Sequence, residues 1–277
     1  MVDMEGMVRV LRRSREYVDE LNGDKVVGSV GKVVYVAVDG SDEEGDGSEG
    51  RPFATPNRAI RALGRICNGC KVVLKAGTYN IMKGGSEDGV DAAINLDGIV
   101  GNLVVEGERA DSVPVINTDH NYAIYSSGCS VTFRNMYINY NGSNSGRIVY
   151  VIGGYVEIKN GMTIMVCNNR LTNVFVACCG GVLRIGGDGS TPSLGFVESN
   201  TGNYVVAWAF FSGIITMNSI NILTGDGLMM PQTGNYVDYG GMIFVAPGLK
   251  YNATNAEDKL GSLSGMIIRK SFKYPTE

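Results

Sequence analysis

Four acidic residues, Asp97, Glu106, Asp119 and Glu157, are of the type that cleaves glycosides, a reaction that needs two carboxyl groups facing one another across a groove about 5–9.5 Å wide. Asp91, Glu108, Asp111 and Glu198 extend the set, and linear spacing does not say which of them converge. The single histidine, His120, sits in Asn117-Thr118-Asp119-His120-Asn121 before an apolar run, which reads as a loop residue rather than a general base. A second acidic group, Asp42, Glu44 and Asp46, follows positions 1, 3 and 5 of a calcium loop, with Gly47 and Ser48 at 6 and 7. Phe53 stands at position 12, where the bidentate carboxylate belongs, so a solvated acidic turn without metal is expected, and no cofactor.

The same stretch, GDGSEGRPFATP (45–56), spaces Gly45, Gly47 and Gly50 as in a dinucleotide fingerprint. Its carboxylates would repel a phosphate. The helix signal begins only at Thr55-Pro56, as N-cap and first helical residue. Glycine here is read as architecture.

Carbohydrate contact needs aromatic faces beside amides and charged groups. Tyr137, Tyr140, Asn141, Asn144 and Arg147 cluster around the polar segment YNGSNSGR (140–147), the expected binding loop, with Tyr125, Tyr150, Tyr155 and Trp208 as further candidates. For Trp208, inside VVAWAFF (205–211), packing in the core or against another subunit is the plainer reading.

Composition narrows the class. A formal charge of -4 over 277 residues gives no basic footprint for nucleic acid, and no apolar run is long enough for membrane insertion. The first residues lack a secretory signal pattern, so assembly in a cytoplasm is expected. Six cysteines are too dilute for a disulfide scaffold, and Cys67-Asn68-Gly69-Cys70 has no second such pair to complete a zinc site.

A repeat sets the architecture. SGCSVTFRN (127–135), IGGYVEIKN (152–160), CGGVLRIGG (179–187), FSGIITMNS (211–219) and YGGMIFVAP (239–247) share a small-residue corner followed by apolar residues two apart. With weaker copies the unit recurs about every 28 residues, its first inward residues being Val72, Leu103, Val131, Val156, Leu183, Ile215, Ile243 and Ile267. Apolar segments before and after each corner make three short strands per unit. The fold class is therefore all-β, a three-faced parallel β-helix of about eight coils over residues 32–277. Arg134 is expected beside Glu157, Glu157 beside Arg184, and Asn135 and Asn160 in an amide ladder. Residues 1–31 read as a short helix, with Met4, Met7, Leu11, Val18 and Leu21 on one seam, and a linker at 28–31; attachment or trimerisation is its expected role, and an amphipathic helix lying on its own chain is the equal alternative.

Pro52-Phe53-Ala54-Thr55, the helix after it and Gly77-Thr78-Tyr79 resemble the entry segment of the pectate-lyase-like right-handed β-helix superfamily. The resemblance implies a right-handed coil whose open end is capped by a helix near 56–66 carrying Ile60, Leu63 and Ile66. It also implies either a polysaccharide hydrolase or lyase, or a bacteriophage tail fibre or tailspike. A homotrimeric virion protein that binds host surface polysaccharide or lipopolysaccharide is the function expected, joined to other tail proteins through residues 1–31. A depolymerase and a purely structural virion part are the alternatives, and the sequence leans away from an enzyme because no dense acidic cluster with a basic partner can be quoted.

Overall fold

The computed structural model describes residues 28–83, 90–142, 147–167, 172–197, 204–223, 228, 233–246, 257–260 and 265–269; the expected helix over 4–21, Asn144 and Glu198 lie outside them. Alternating apolar residues and frequent β-branching favour strands over helices. The fold is accordingly all-β, a parallel-sheet solenoid with one helix, Pro56–Ala62, among the described residues.

Three sheets form, and every pairing between their strands is parallel. The first holds Ile66–Leu74, Val100–Gly107, Ser130–Arg134, Tyr155–Ile158, Val182–Ile185, Ile214–Met217, Met242–Val245 and Met266–Arg269 in that order, with Ser29–Val30 and Val33–Val36 both on Ile66–Leu74. The second runs from Thr78–Ile81 through Val115–Thr118, Met136–Tyr140, Met162–Val166 and Ser193–Phe196 to Asn221–Ile222. The third runs from Ala92–Asp97 through Tyr122–Ser127, Arg147–Ile152, Thr172–Cys178, Tyr204–Ala209 and Thr233–Val237 to Glu257–Leu260. From Ile66 to Val245 the chain visits first, second and third sheet in turn, so each strand meets its equivalent from the neighbouring circuit; the next described strand, Glu257–Leu260, belongs to the third sheet.

The register follows the repeat. Leu103, Val131, Val156, Leu183, Ile215, Ile243 and Ile267 are paired in one row. Val72 is not in it: Leu103 faces Cys70, and Val72 faces Val105. A bulge between Asn68 and Cys70 turns both Cys67 and Cys70 into the core, where a small thiol fills the place of an aliphatic residue. Val131, Phe133, Val156, Ile158, Leu183 and Ile185 are all buried, as their alternation requires.

The corners between the third and first sheets are tight. Gly181, Gly213 and Gly241 each donate an amide to the residue three positions earlier, and in the last two of these turns Phe211 and Tyr239 adopt positive φ (45° and 44°), followed by Ser212 and Gly240, also positive. Positive φ at both central positions marks a type I′ turn, which ordinarily takes asparagine or glycine. Phe211 and Tyr239 remain 51% and 43% exposed there.

The glycine-rich loop is spent on the protein itself. The amides of Asp46 and Gly47 donate to the Arg51 carbonyl, and that of Gly45 to the Ser41 carbonyl. Gly47 has φ of +79°, and a Cβ there would lie 2.5 Å from the buried Phe53 ring. The helix starts as expected, with Thr55 as N-cap accepting from the Arg58 amide at 3.2 Å and Pro56 behind it. It ends sooner than the 56–66 expected. Leu63 closes it, Gly64 turns left-handed, and Ile66 opens a strand on the first sheet. The linker expected at 28–31 is also structured: Ser29–Val30 pairs with Cys67 and Asn68, and the Ser29 hydroxyl donates to the Leu63 carbonyl at 2.7 Å.

Phe133→Ala should cost about 3–5 kcal/mol of unfolding free energy in a urea titration, because a rigid stack cannot close the void. Thr216→Ala, on the outward face of the same sheet, should stay within about 0.5 kcal/mol.

Candidate functional site

On the third sheet Ile124, Val149, Phe175 and Ala207 face the core in one paired row. The next position on each strand must then face outward. It carries Tyr125, Tyr150, Val176, Trp208 and Tyr236, again in register. Tyr122 stacks on Tyr150 with centroids 5.3 Å apart and planes 9° off parallel, and Tyr125 meets both rings at 5.3 and 5.9 Å. Trp208 contacts Phe210 at 4.6 Å and Tyr236 at 5.9 Å. Phe210 continues to Phe211, and Phe211 stacks on Tyr239 at 5.0 Å. The result is an aromatic band along the solenoid, ending at the exposed corner residues.

Arg147 lies across this band, its guanidinium 4.7 Å from the Tyr150 ring centre and 5.6 Å from that of Trp208. Such cation–π contacts fix a planar cation among rings. The Cys178 thiol donates to the Tyr150 hydroxyl at 3.3 Å, and burial with that thiol beside it pushes the Tyr150 hydroxyl well above the ordinary tyrosine range, so it stays protonated at neutral pH. The Trp208 indole N–H is buried and without a hydrogen-bond partner among the described residues. Tyr150, Val176, Cys178 and Phe210 are themselves buried and form a second apolar cluster outside the sheet, against which Tyr122, Tyr125, Ile152 and Trp208 pack half-buried, while Phe211 and Tyr239 stay exposed.

The loop set read from the sequence divides between elements. Tyr137 faces out of the second sheet, half-buried, next to the inward Ile138. Tyr140 is 0% exposed, a correction to its expected place in a surface loop, since alternation from Met136 and Ile138 carries it inward; its hydroxyl donates to the Asn121 carbonyl at 3.1 Å. Asn141 is exposed, its amide donating to the Thr118 carbonyl at 2.7 Å. Arg147 leaves that set for the third sheet and joins Tyr125, Tyr150 and Trp208. Tyr155 sits apart on the first sheet.

The four carboxylates are not brought to one groove. Glu106 is on the first sheet, held by Lys71 at 3.3 Å and by Arg134. Glu157, on the same sheet and buried rather than exposed, is bound by Arg184 and Lys159, each at 3.2 Å. The pairing of Arg134 with Glu157 does not form, because the register puts Thr132 beside Glu157 and Arg134 beside Glu106. Asp97 ends the first strand of the third sheet, exposed. Asp119 follows a second-sheet strand and accepts the Lys83 amide at 2.5 Å. In the acidic loop, Asp42 accepts from the Ala54 and Thr55 amides at 2.8 and 3.0 Å and from the Thr55 hydroxyl at 2.6 Å, which anchors the helix N-cap. Arg51 binds the Glu44 carbonyl and lies 3.4 Å from Asp46, whose carboxyl is held below its ordinary range by Ser48 and then Arg51. No group of three or more His, Cys, Asp or Glu side chains among the described residues is arranged to hold a metal ion. The six thiols are unbridged, and burial pushes that of Cys67 up to about 12, too high for a reactive thiolate.

Two constellations escaped the sequence reading. His120, 3% exposed, bonds Asp91 through Nδ1, and Lys83 lies 2.9 Å from the other Asp91 oxygen. Burial pushes the Asp91 carboxyl up, but the hydrogen bonds from Lys83 and His120 outweigh it and leave the carboxyl below its ordinary range. Asp91 and His120 are 29 positions apart, about one repeat, and that spacing was the available signal. The second is an amide ladder on the second sheet: Asn139 donates to Asn117 at 2.9 Å, and Asn117 to Asn80 at 2.8 Å. The ladder expected from Asn135 and Asn160 does not form between side chains; the Asn135 amide donates to the Asn160 carbonyl, while the Asn160 side chain accepts from the Thr191 amide.

A carboxyl whose folded-state pKa is lowered stabilises the fold above its unfolded value, about 3.9, and loses that contribution as pH falls through the folded value. Asp91→Asn should therefore cost about 1–3 kcal/mol at pH 7, with the gap to the parent closing below pH about 4 in thermal melts. Compared with known proteins, the chain matches no family model, no curated protein and no solved structure.

Proposed function

We propose that this chain is a carbohydrate-binding β-helix module of the bacteriophage tail-fibre or tailspike type, acting as a homotrimer on host surface polysaccharide or lipopolysaccharide. The observation that carries the reading is the aromatic band on the third sheet, with Arg147 fixed between Tyr150 and Trp208. The cluster's half-buried rings, Tyr122, Tyr125 and Trp208, and the exposed Phe211 and Tyr239 leave apolar edges beside Arg147 of the kind that mark interaction surfaces. The finer architecture belongs to the same proposal: a right-handed, three-faced stack of about eight coils, closed at its N-terminal end by helix Pro56–Ala62 with Ala59, Ile60 and Leu63 buried. In favour of it are the cyclic visits to three parallel sheets and the resemblance of the entry segment.

Binding rather than cleavage is the favoured activity, because Glu106 and Glu157 are neutralised by basic neighbours and Asp97 and Asp119 lie on other elements. The remaining expectation, attachment to the virion through residues 1–31, rests on the sequence alone.

Light scattering should give three times the 29.6 kDa chain mass; a monomer would overturn the trimer. Purified protein should bind capsule or lipopolysaccharide extracted from its host and leave the polymer at full length, and Trp208→Ala should weaken that binding about three- to tenfold while the protein stays folded by circular dichroism. Shortened chains with new ends would make it a depolymerase, and no binding would reduce it to a structural part.

A further inference from the structure

The outer face of the first sheet changes character at its N-terminal end. Farther along it carries the ion pairs of Glu106 and Glu157, but the strands that open the stack show apolar side chains there. Val30 faces Asn68, Val33 faces Lys71 and Ile66 faces Val100, with Val104 on the far side of Lys71. Val30, Val33 and Val100 are 79%, 40% and 51% exposed, and Ile66 and Val104 are half-buried. The polar groups among them are already engaged. Asn102 donates to the Asn68 side chain at 3.1 Å and accepts from the Gly69 amide, and Lys71 pairs with Glu106. What remains for a partner is a contiguous apolar surface.

The chain itself arrives at this patch. A Cβ on Gly28 would lie 3.5 Å from the Ile66 side chain, and 27 residues precede that glycine. On the helical reading of 4–21, Met4, Met7, Leu11, Val18 and Leu21 form the seam, and Val8, Val10 and Tyr17 widen it on both sides. A coiled coil carries charges at those flanks, whereas a helix lying on a globular surface needs the broader stripe. The opposite side carries Glu5, Arg9, Arg12, Glu16 and Asp19. A helix over 4–21 measures about 27 Å, close to the roughly 30 Å of the nine-residue strand Ile66–Leu74. Asn22-Gly23 supplies a helix stop and a turn just before the chain reaches Gly28.

We infer that residues 4–21 form an amphipathic helix docked on this patch of their own chain, antiparallel to Ile66–Leu74, with Val18 and Leu21 nearest Val30 and Val100. The direction follows from the entry point, because the segment's end is tied to the Ile66 end of the strand. The docking surface is separate from the aromatic band, and the inference goes beyond carbohydrate binding without depending on it. The charged side of the helix then faces outward, and copies of a trimer are not held together by a coil of these helices.

The test is limited trypsin digestion of the full chain, read at Arg9, Arg12, Arg13 and Arg15, with light scattering of the same samples. Val30→Asp and Val100→Asp change exposed positions and should leave the strand signal in circular dichroism unchanged. Each should nevertheless speed cleavage at these arginines about tenfold, because a charge beneath the helix opens it to the protease. Leu11→Asp should do the same from the helix side, and Thr216→Asp, on the outward face of the same sheet beyond the patch, should not. In a Val18→Cys, Val100→Cys double variant, mild oxidation should give a disulfide within one chain. Cleavage at the parent's rate in Val30→Asp and Val100→Asp would overturn the inference. A disulfide between chains, or a fall in oligomer mass with Val100→Asp, would assign the patch to another copy and overturn it as well.

Discussion

Each inward side chain of this solenoid must meet its own equivalent from the circuits on either side, because parallel strands in register allow no other neighbour. The constraint is strong: a slip of one residue would exchange the dry row of Leu103, Val131, Val156 and Leu183 for the row of Val104, Thr132, Glu157 and Arg184 beside it. Apolar burial along that row supplies the driving force, and backbone pairing at every rung leaves few amides to satisfy elsewhere. An extra residue is tolerated even within a strand, where the bulge between Asn68 and Cys70 absorbs it without losing the pairing on either side.

With the interior committed, chemistry is left to the outer faces, and each sheet uses its own. The first carries ion pairs that cancel, the second an amide ladder from Asn80 to Asn139, the third a band of rings with one cation. Exposed ion pairs and amide ladders add modest stability and keep a face wetted. The rings of the third sheet do something else: with Val176 and Cys178 they pack into a second apolar cluster on the outside of the sheet.

Much of the scaffold was legible in the sequence because the repeat and the period of two are both one-dimensional signals. Aligning the corners gave the paired row from Leu103 to Ile267, and Thr55-Pro56 marked the helix start. What failed was local. Cys70 was not recognised as a core residue, so Val72 was placed two positions out of register; Ile66 was assigned to the helix although Gly64 ends it; and Ser29 was left in a linker although it pairs with Cys67. The site was harder to read, since residues that share an outer face are a whole circuit apart in sequence. Trp208 and Arg147 are separated by two circuits, and neither its apolar context nor its polar loop hinted that they would meet. Tyr140, by contrast, could have been placed in the core by counting in twos from Ile138.

The type I′ corners at Phe211 and Tyr239 have a consequence for how such a molecule can vary. A left-handed backbone costs a side-chain-bearing residue about 1–2 kcal/mol, and glycine far less. Here two large rings occupy that conformation on successive circuits, project into solvent and lean on one another. The corner sets the bend whatever its side chain is, and the side chain sets how far that circuit reaches outward. Surface relief can thus be rewritten one circuit at a time, for a toll fixed by backbone geometry, while the pairing beneath goes on undisturbed.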